Sequence, residues 1–505
     1  MTTQISEIKA QADKDRSSYR QIMKATSIFG GVQVFQIVIL ITRSKFVAHL
    51  LGPTGMGIAG LLDATTGMIS QLTNFGLRTS AVKDISAAHG SGDHERTARI
   101  ASVINRLVWF TGLLGALITL VLAPYLSQLT FGNRSYTWAF IWLSVTLLFN
   151  QLSAGKGVLL QGLRKIRYLA RASIIGSLMG LFVSVPLFYI YGNGGIVPSM
   201  ISIAFFGFLV NLYFASKIKL IPVTVSFKEI IIEGKAMVQM GFLISLTLLI
   251  TQGTFYLLRI YISRFGGIED VGLFNAGFAI VNNYVGLIFG AMGTDYYPRL
   301  SAVAHDNIKS REVINQQAEI ALLILGPLLM VFLTCINWIV IFLYSSKFIP
   351  INDMILYAAL GIFFKAASWS VAFIFLTKGA NQLFFWNEQI TNLYMLALNI
   401  LGFNLWGLTG LGISFLVGYI IYLIQVFFIA KVKYSFGFNS AFYRIFGLHT
   451  TLAVVCMVVI KLTDGLFTYI LRSILIVTSV YCAYIELNKR IKISDYLKNK
   501  FKLHI

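Results

Sequence analysis

The chain has 505 residues, 57% of them hydrophobic and 12% charged, with a formal net charge of +21. Soluble globular proteins carry about 25% charged residues, so half that share, spread over long apolar runs from end to end, excludes a soluble enzyme and indicates a polytopic membrane protein. The three cysteines lie far apart and the six histidines show no ligand spacing, which leaves no disulfide framework or metal centre to expect.

Residues 1–25 are polar and mixed in charge, and no small-residue cleavage site follows them. They read equally as an amphipathic surface helix or as a tail, on the cytoplasmic side. Fourteen spans follow, at about 20 apolar residues per crossing: 26–48, 56–80, 101–123, 137–160, 172–191, 196–216, 236–260, 271–294, 315–343, 353–377, 386–405, 410–430, 446–462 and 468–485. With the N-terminus in the cytoplasm, the inner segments carry 29 Lys and Arg and the outer side four, Arg134, Arg264, Lys347 and, at the outer end of its span, Lys461. That asymmetry supports both the number of spans and the orientation. It also assigns most of the net charge to topology beside anionic lipid, so no nucleic-acid partner is expected. The outer loops are too short to build an enzyme site, and no Gly-rich loop with a Lys is present, so no cofactor is expected and the chain is not read as an enzyme.

The expected architecture is all-α. A cytoplasmic segment (1–25) precedes an N-lobe of six spans (26–216), a cytoplasmic linker (217–235) and a C-lobe of six spans (236–430). An extra helix pair (431–485) and a basic cytoplasmic tail (486–505) complete the chain. A weak internal repeat supports the two lobes: Gln36 and Arg43 reappear, 216 residues on, as Gln252 and Arg259. Parallel repeats of this kind occur in transporters.

Eight basic residues lie inside the spans: Arg43, Lys45, Arg78, Arg106, Lys156, Arg259, Lys365 and Arg472. A cation at the centre of a bilayer costs roughly 2.5–3.5 kcal/mol on insertion scales, so such residues face a bundle interior or a wet cavity, or snorkel to the interface. Arg78 and Arg472 suit the interface, and Lys45 is evenly balanced between interface and cavity. Arg43, Arg259, Arg106, Lys156 and Lys365 are the anion-binding candidates. Gln36 with Arg43, Asn74 with Asp63 and Ser70, Gln252 with Arg259, and Asn275 with Asn282 each share a helix face by 3–4 or 7 spacing. Asp63 and Glu388 are the acids placed to couple transport to an ion, though for Asp63 simple charge pairing with Arg43 or Lys45 is the favoured role.

The segment LLGPTGMGIAGLLDATTGMISQLTNFGLRTSAVKDIS (50–86) resembles bacterial polysaccharide flippases. These are the Wzx-type O-antigen and enterobacterial-common-antigen translocases of the multidrug/oligosaccharidyl-lipid/polysaccharide exporter superfamily. The resemblance rests on Gly52-Pro53, Gly55, Gly57, the polar second helix with Asn74-Phe75-Gly76, and the exit near Lys83. It implies translocation of an undecaprenyl-pyrophosphate-linked oligosaccharide from the inner to the outer leaflet of the bacterial plasma membrane. It further implies alternating access, driven by a proton or sodium gradient or by membrane potential, and a monomer suffices for such a path. Arg43, Arg106 and Arg259 then become the leading pyrophosphate clamps. The fourteen spans depart from the twelve of many such translocases and match the lipid II flippases, which leaves the cargo open. A multidrug cation antiporter on the same architecture is the alternative function.

Overall fold

A computed structural model describes residues 2–218, 220, 223, 225–462 and 466–491. Fifteen α-helices make up nearly all of it: α1 (Thr2–Thr73), α2 (Leu77–Gly90), α3 (His94–Phe131), α4 (Thr137–Gly162), α5 (Ile166–Tyr191), α6 (Ile196–Ser216), α7 (Phe227–Phe265), α8 (Ile268–Ala279), α9 (Val285–Ala302), α10 (Asn307–Thr334), α11 (Ile336–Leu343), α12 (Asn352–Thr377), α13 (Asn381–Tyr434), α14 (Ser440–Leu462) and α15 (Leu466–Ile491). No strand occurs among the described residues. The expected spans fall on these helices, so the all-α polytopic plan holds. Residues 492–505 of the basic tail, and residues 219, 221, 222 and 224 of the linker, lie outside the described residues.

Two of the longest helices each contain two expected spans. In α1 the backbone leaves helical geometry at Gly52 (φ 66°, ψ −169°), a region open essentially to glycine alone. Pro53 follows, with a fixed φ that suits the first turn of the next helix. In α13 the break falls at Trp406 and Gly407. Its two halves lie side by side: Ser414 Oγ donates to the Leu398 carbonyl at 2.6 Å, and Gln425 Nε2 to Asn387 Oδ1 at 2.8 Å.

Side-chain placement follows the solvent a membrane provides. On α3, Trp109, Phe110, Leu113, Leu117 and Val121 are exposed, while Thr111, Gly112, Gly115 and Thr119 are buried. In water that would be inside out. In lipid the hydrocarbon surface loses nothing by facing acyl chains, and helices associate through small residues and hydrogen bonds. Nine helical stretches among the described residues are long and apolar enough to cross a bilayer, and three of them (Phe35–Thr73, Ile166–Ser216 and Asn381–Tyr434) are long enough for two crossings each. The chain is a multi-pass membrane protein.

Two compact units make up the chain, Met1–Tyr256 and Leu257–Ile505, with the division inside α7. In the first, α4 packs against α3 and α6, and α5 against α6 and α1. A core of Leu77, Ile85, Ile104, Val108, Leu152 and Val158 joins α2, α3 and α4. In the second, α12 packs along α13, and α10 packs against α12, α14 and α15.

Candidate functional site

The first unit contains a cavity of about 460 Å³ among α1, α4, α5 and α6. Its polar lining is Gln36, Arg43, Asn150, Ser173, Ser177 and Asn211. Gln36 and Arg43 face it together, as their seven-residue spacing on one helix requires. The Gln36 amide nitrogen donates to Ser173 Oγ. Asn211 Nδ2 donates to Ser153 Oγ and to the Gly207 carbonyl, each at 3.0 Å. Among the described residues, no acid lines this cavity. The acid that acts electrostatically on Arg43 is Asp63, which is itself exposed. Lys45 is also exposed.

A second, smaller cavity of about 160 Å³ lies among α1, α2, α3 and α4 and is lined by Ser70, Asn74, Arg78, Asn150 and Gln151. Asn150 borders both cavities. Asn74 closes the helix break: its Oδ1 accepts from the Gly76 backbone N–H at 2.7 Å, where Phe75 and Gly76 both have positive φ. Its amide nitrogen donates to Gln71 Oε1 at 3.3 Å, and Ser245 Oγ donates to Asn74 Oδ1 at 3.4 Å. Gln252 is exposed.

Arg106 and Lys156 stand apart from these cavities. A terminal guanidinium nitrogen of Arg106 donates to the Val225 carbonyl at 2.8 Å, which fastens the connection after α6 to α3. Val225 itself packs against Val103. Lys156 Nζ donates to Asn105 Oδ1 at 2.8 Å and so joins α4 to α3 beside Arg106.

In the second unit, Lys365 on α12 is surrounded by rings. Its Nζ lies 5.3 Å from the Tyr419 centroid, 5.7 Å from Phe415 and 5.9 Å from Phe289, within cation–π range of all three. It donates to Asn282 Oδ1 at 3.3 Å. Asn282 sits in a five-residue π-helical segment, Ile280–Tyr284, between α8 and α9. Such segments displace side chains from the regular helical register and recur at functional sites. Arg259 Nε donates to Asn275 Oδ1 at 2.8 Å. Glu388 accepts from the Tyr422 hydroxyl at 2.6 Å and from Asn387 Nδ2 at 3.4 Å, across the two halves of α13.

The structure therefore groups Gln36 with Arg43, Lys365 with Asn282, and Arg259 with Asn275. It places Lys156 beside Arg106 between α3 and α4, and Asn74, Gln252 and Glu388 in separate surroundings. Sequence reasoning misses Asn150, Gln151, Ser173, Asn211 and Tyr422. A signal was readable for Ser173 alone: Ser173, Gly176, Ser177 and Gly180 repeat at 3, 4 and 7 along α5, a small polar face inside an otherwise apolar helix.

A family model described as polysaccharide biosynthesis protein matches residues 46–353, more than half of the chain. The chain belongs to this family. Comparison with curated proteins gave no match. Among solved structures, the chain is similar to the lipid II flippase MurJ in an inward closed conformation. The TM-score is 0.68 at 14% identity, with 92% of this chain and 99% of that one covered. It is similar also to a multidrug resistance MATE-family transporter of the MOP superfamily, in an inward-facing conformation, at TM-score 0.65 and 16% identity, covering 79% and 94%. A MOP-superfamily transporter from Pyrococcus furiosus, described by the reverse polarity of its binding pocket, gives 0.56 and 16%, covering 82% and 96%. At such identities the likeness is one of fold. This member of the polysaccharide biosynthesis family thus has the fold of MOP-superfamily transporters, and the solved proteins it resembles are a flippase and transporters rather than enzymes.

Proposed function

We propose that the chain is a flippase that moves a polyprenyl-pyrophosphate-linked oligosaccharide from the cytoplasmic to the outer leaflet of a bacterial plasma membrane by alternating access. Both termini would be cytoplasmic, as the distribution of Lys and Arg favours. A monomer suffices for a path that runs inside one chain.

The observation that carries this reading is Arg43 in a cavity whose other polar lining, among the described residues, is carboxamides and hydroxyls. A pyrophosphate sugar is anionic at one end and rich in hydroxyls at the other. Guanidinium groups suit the first through paired hydrogen bonds, and carboxamides suit the second. Arg259 and Lys365 supply further positive charge in the second unit. The membership in a polysaccharide biosynthesis family supports a glycan-bearing cargo. The similarity to MurJ over 92% of the chain keeps lipid II-type cargo as the nearest alternative. A multidrug cation antiporter fits less well, because a cationic drug calls for acids in the cavities, and their charged lining residues here are Arg43 and Arg78.

Glu388 is the proposed coupling residue. Its carboxyl is half-buried against Tyr422 and Asn387, with a donor hydroxyl at 2.6 Å. A carboxyl in this setting can exchange a proton without a fixed cation to oppose it.

Deletion of the gene in its own host tests the function. Loss of surface polysaccharide, with accumulation of the lipid-linked unit on the cytoplasmic face, is the expected phenotype. Wild-type protein should restore the polysaccharide, and Arg43→Ala with Arg259→Ala should insert but fail to restore it. Unchanged surface polysaccharide in the deletion strain would contradict the proposal.

A further inference from the structure

The smaller cavity of the first unit, about 160 Å³ among α1, α2, α3 and α4, repeats the chemistry of the larger one. Arg78 is its charged lining residue, and its other polar lining is Ser70, Asn74, Asn150 and Gln151. Among the described residues, no acid lines it. Its place in the sequence suits Arg78 to the interface, yet it reaches this cavity together with Ser70 and Asn74, from either side of the break at Phe75 and Gly76.

Most of these groups are partly engaged. Asn74 Oδ1 accepts from the Gly76 N–H and from Ser245 Oγ, and Asn74 Nδ2 donates to Gln71. Gln151 Nε2 donates to Thr111 Oγ1 at 2.9 Å and keeps a second N–H. Asn150 differs. It is exposed near the midpoint of α4, and among the described residues nothing bonds its carboxamide. A carboxamide at that depth of a bilayer costs free energy unless a partner meets it. Asn150 is also the residue that the two cavities share, so a ligand in either one has it as a neighbour.

Position and size distinguish the two spaces. Val158 lines the smaller cavity eight residues, about 12 Å, beyond Asn150 along α4. That is toward the end which the Lys and Arg distribution puts in the cytoplasm. On the same reading Arg43 belongs to the outer half of span 26–48. A space of 160 Å³ is below the range of small-molecule sites and suits a phosphate group without a sugar, whereas 460 Å³ is within that range.

Resting on the flippase reading, we infer that the smaller cavity is a loading station for the phosphate end of the cargo, with Arg78 as its cation. The pyrophosphate is held first by Arg78, passes Asn150 and reaches Arg43, where the larger cavity also admits the adjoining sugar. A guanidinium at each station presents paired N–H donors to phosphate oxygens, and the Asn150 amide donates to the anion between them. The phosphate of an anionic lipid headgroup has the same chemistry, and the test separates the two sources.

Inorganic pyrophosphate is titrated into the full chain in phosphatidylcholine nanodiscs and followed by phosphorus NMR. Wild-type protein should take up one more pyrophosphate per chain than Arg78→Gln. Arg78→Lys should keep that site at about tenfold lower affinity, the size of one lost charge-assisted bond. Ala154→Leu fills the cavity while leaving Arg78 in place and should lose the same site, so the result does not depend on one variant folding. Arg99→Gln removes a positive charge near the same end of α3, where Arg99 pairs with Glu95, and should lose no site. Equal uptake by wild-type protein and the folded Arg78→Gln and Ala154→Leu variants would overturn the inference, as would an equal loss in Arg99→Gln. Replacing part of the phosphatidylcholine by phosphatidylglycerol should leave uptake unchanged. A site that phosphatidylglycerol fills would belong to lipid and would overturn the assignment to cargo. A parallel assay of flipping keeps the two proposals apart, and in it Arg78→Gln should need about tenfold more lipid-linked cargo for its half-maximal rate. Flipping by wild-type protein with no Arg78-dependent site sinks only the station, and an Arg78-dependent site without flipping sinks only the flippase reading.

Discussion

Arg490 on α15 grips Glu319 on α10 through two nitrogens, at 2.9 and 2.8 Å. The other oxygen of Glu319 accepts from Asn439 Nδ2 at 2.7 Å, just before α14. Arg490 also reaches Glu486 at 2.5 Å. Glu319 is only 7% exposed and Arg490 23%. The extra helix pair is thus anchored to the second unit by a polar knot at one end, where lipid offers no hydrophobic drive for association.

Removing one partner from such a knot leaves a buried charge. Arg490→Gln should cost about 3 kcal/mol, the low end for breaking a buried ion pair, because Arg490 keeps partial access to water. A lowered unfolding temperature in detergent would show it. The double variant Glu319→Gln with Arg490→Gln should recover much of the loss. No change in the single variant would mean that α15 is held by packing alone.

Gly52 tests a different cause. Its φ of 66° with ψ near −169° is closed to residues with a Cβ. Gly52→Ala should destabilise by about 1–3 kcal/mol through backbone strain. The break between the two halves of α1 should be the part that loosens first, read as faster hydrogen exchange around residues 50–55. Wild-type exchange there would refute the strain argument.

That break was legible in advance, since Gly-Pro between two apolar runs marks a stop and a restart. So were the spans, because apolar length and the 29-to-4 bias of Lys and Arg report on the bilayer itself. The cavity was half legible. Gln36 and Arg43 share a face by spacing, but Asn150 and Asn211 join them from α4 and α6, and no local pattern shows which helices will meet. Lys365 shows the same limit: its cation is recognisable in the chain, yet its cage draws Phe289, Phe415 and Tyr419 from distant segments. The π-helical turn at 280–284 has no sequence mark. Arg106 illustrates how one residue type serves two ends, since its guanidinium satisfies the Val225 carbonyl, a need that arises only once the connection is folded.

The proposed coupling role of Glu388 makes a kinetic prediction. Glu388→Gln keeps the size and the hydrogen bond from Tyr422 but cannot exchange a proton. Transport driven by an imposed pH gradient should vanish in this variant, while passive exchange of cargo between leaflets persists. Tyr422→Phe should weaken the pH response without abolishing it. Full gradient-driven transport in Glu388→Gln would place the coupling elsewhere.

Asp306 governs a pH response outside the membrane. It caps α10, accepting from the Ile308 and Lys309 backbone N–H groups at 2.8 and 3.1 Å. These bonds, that from Lys309 foremost, hold its carboxyl below the usual carboxylate range. A depressed folded value means the cap contributes fully above the unfolded value of about 4 and is lost as pH falls through the lower folded one. Hydrogen exchange in residues 307–310 should therefore lose protection only in acid. Asp306→Ala should show that loss at neutral pH, and equal protection in both proteins would remove the cap from the account.

Reconstitution addresses the central claim. Purified protein in liposomes carrying a polyprenyl-pyrophosphate-linked oligosaccharide in one leaflet should make the sugar accessible to a glycosidase on the opposite side. The double variant Arg43→Ala with Arg259→Ala should leave it protected. A sugar that stays as protected with wild-type protein as in protein-free liposomes, under an imposed gradient, would contradict the account.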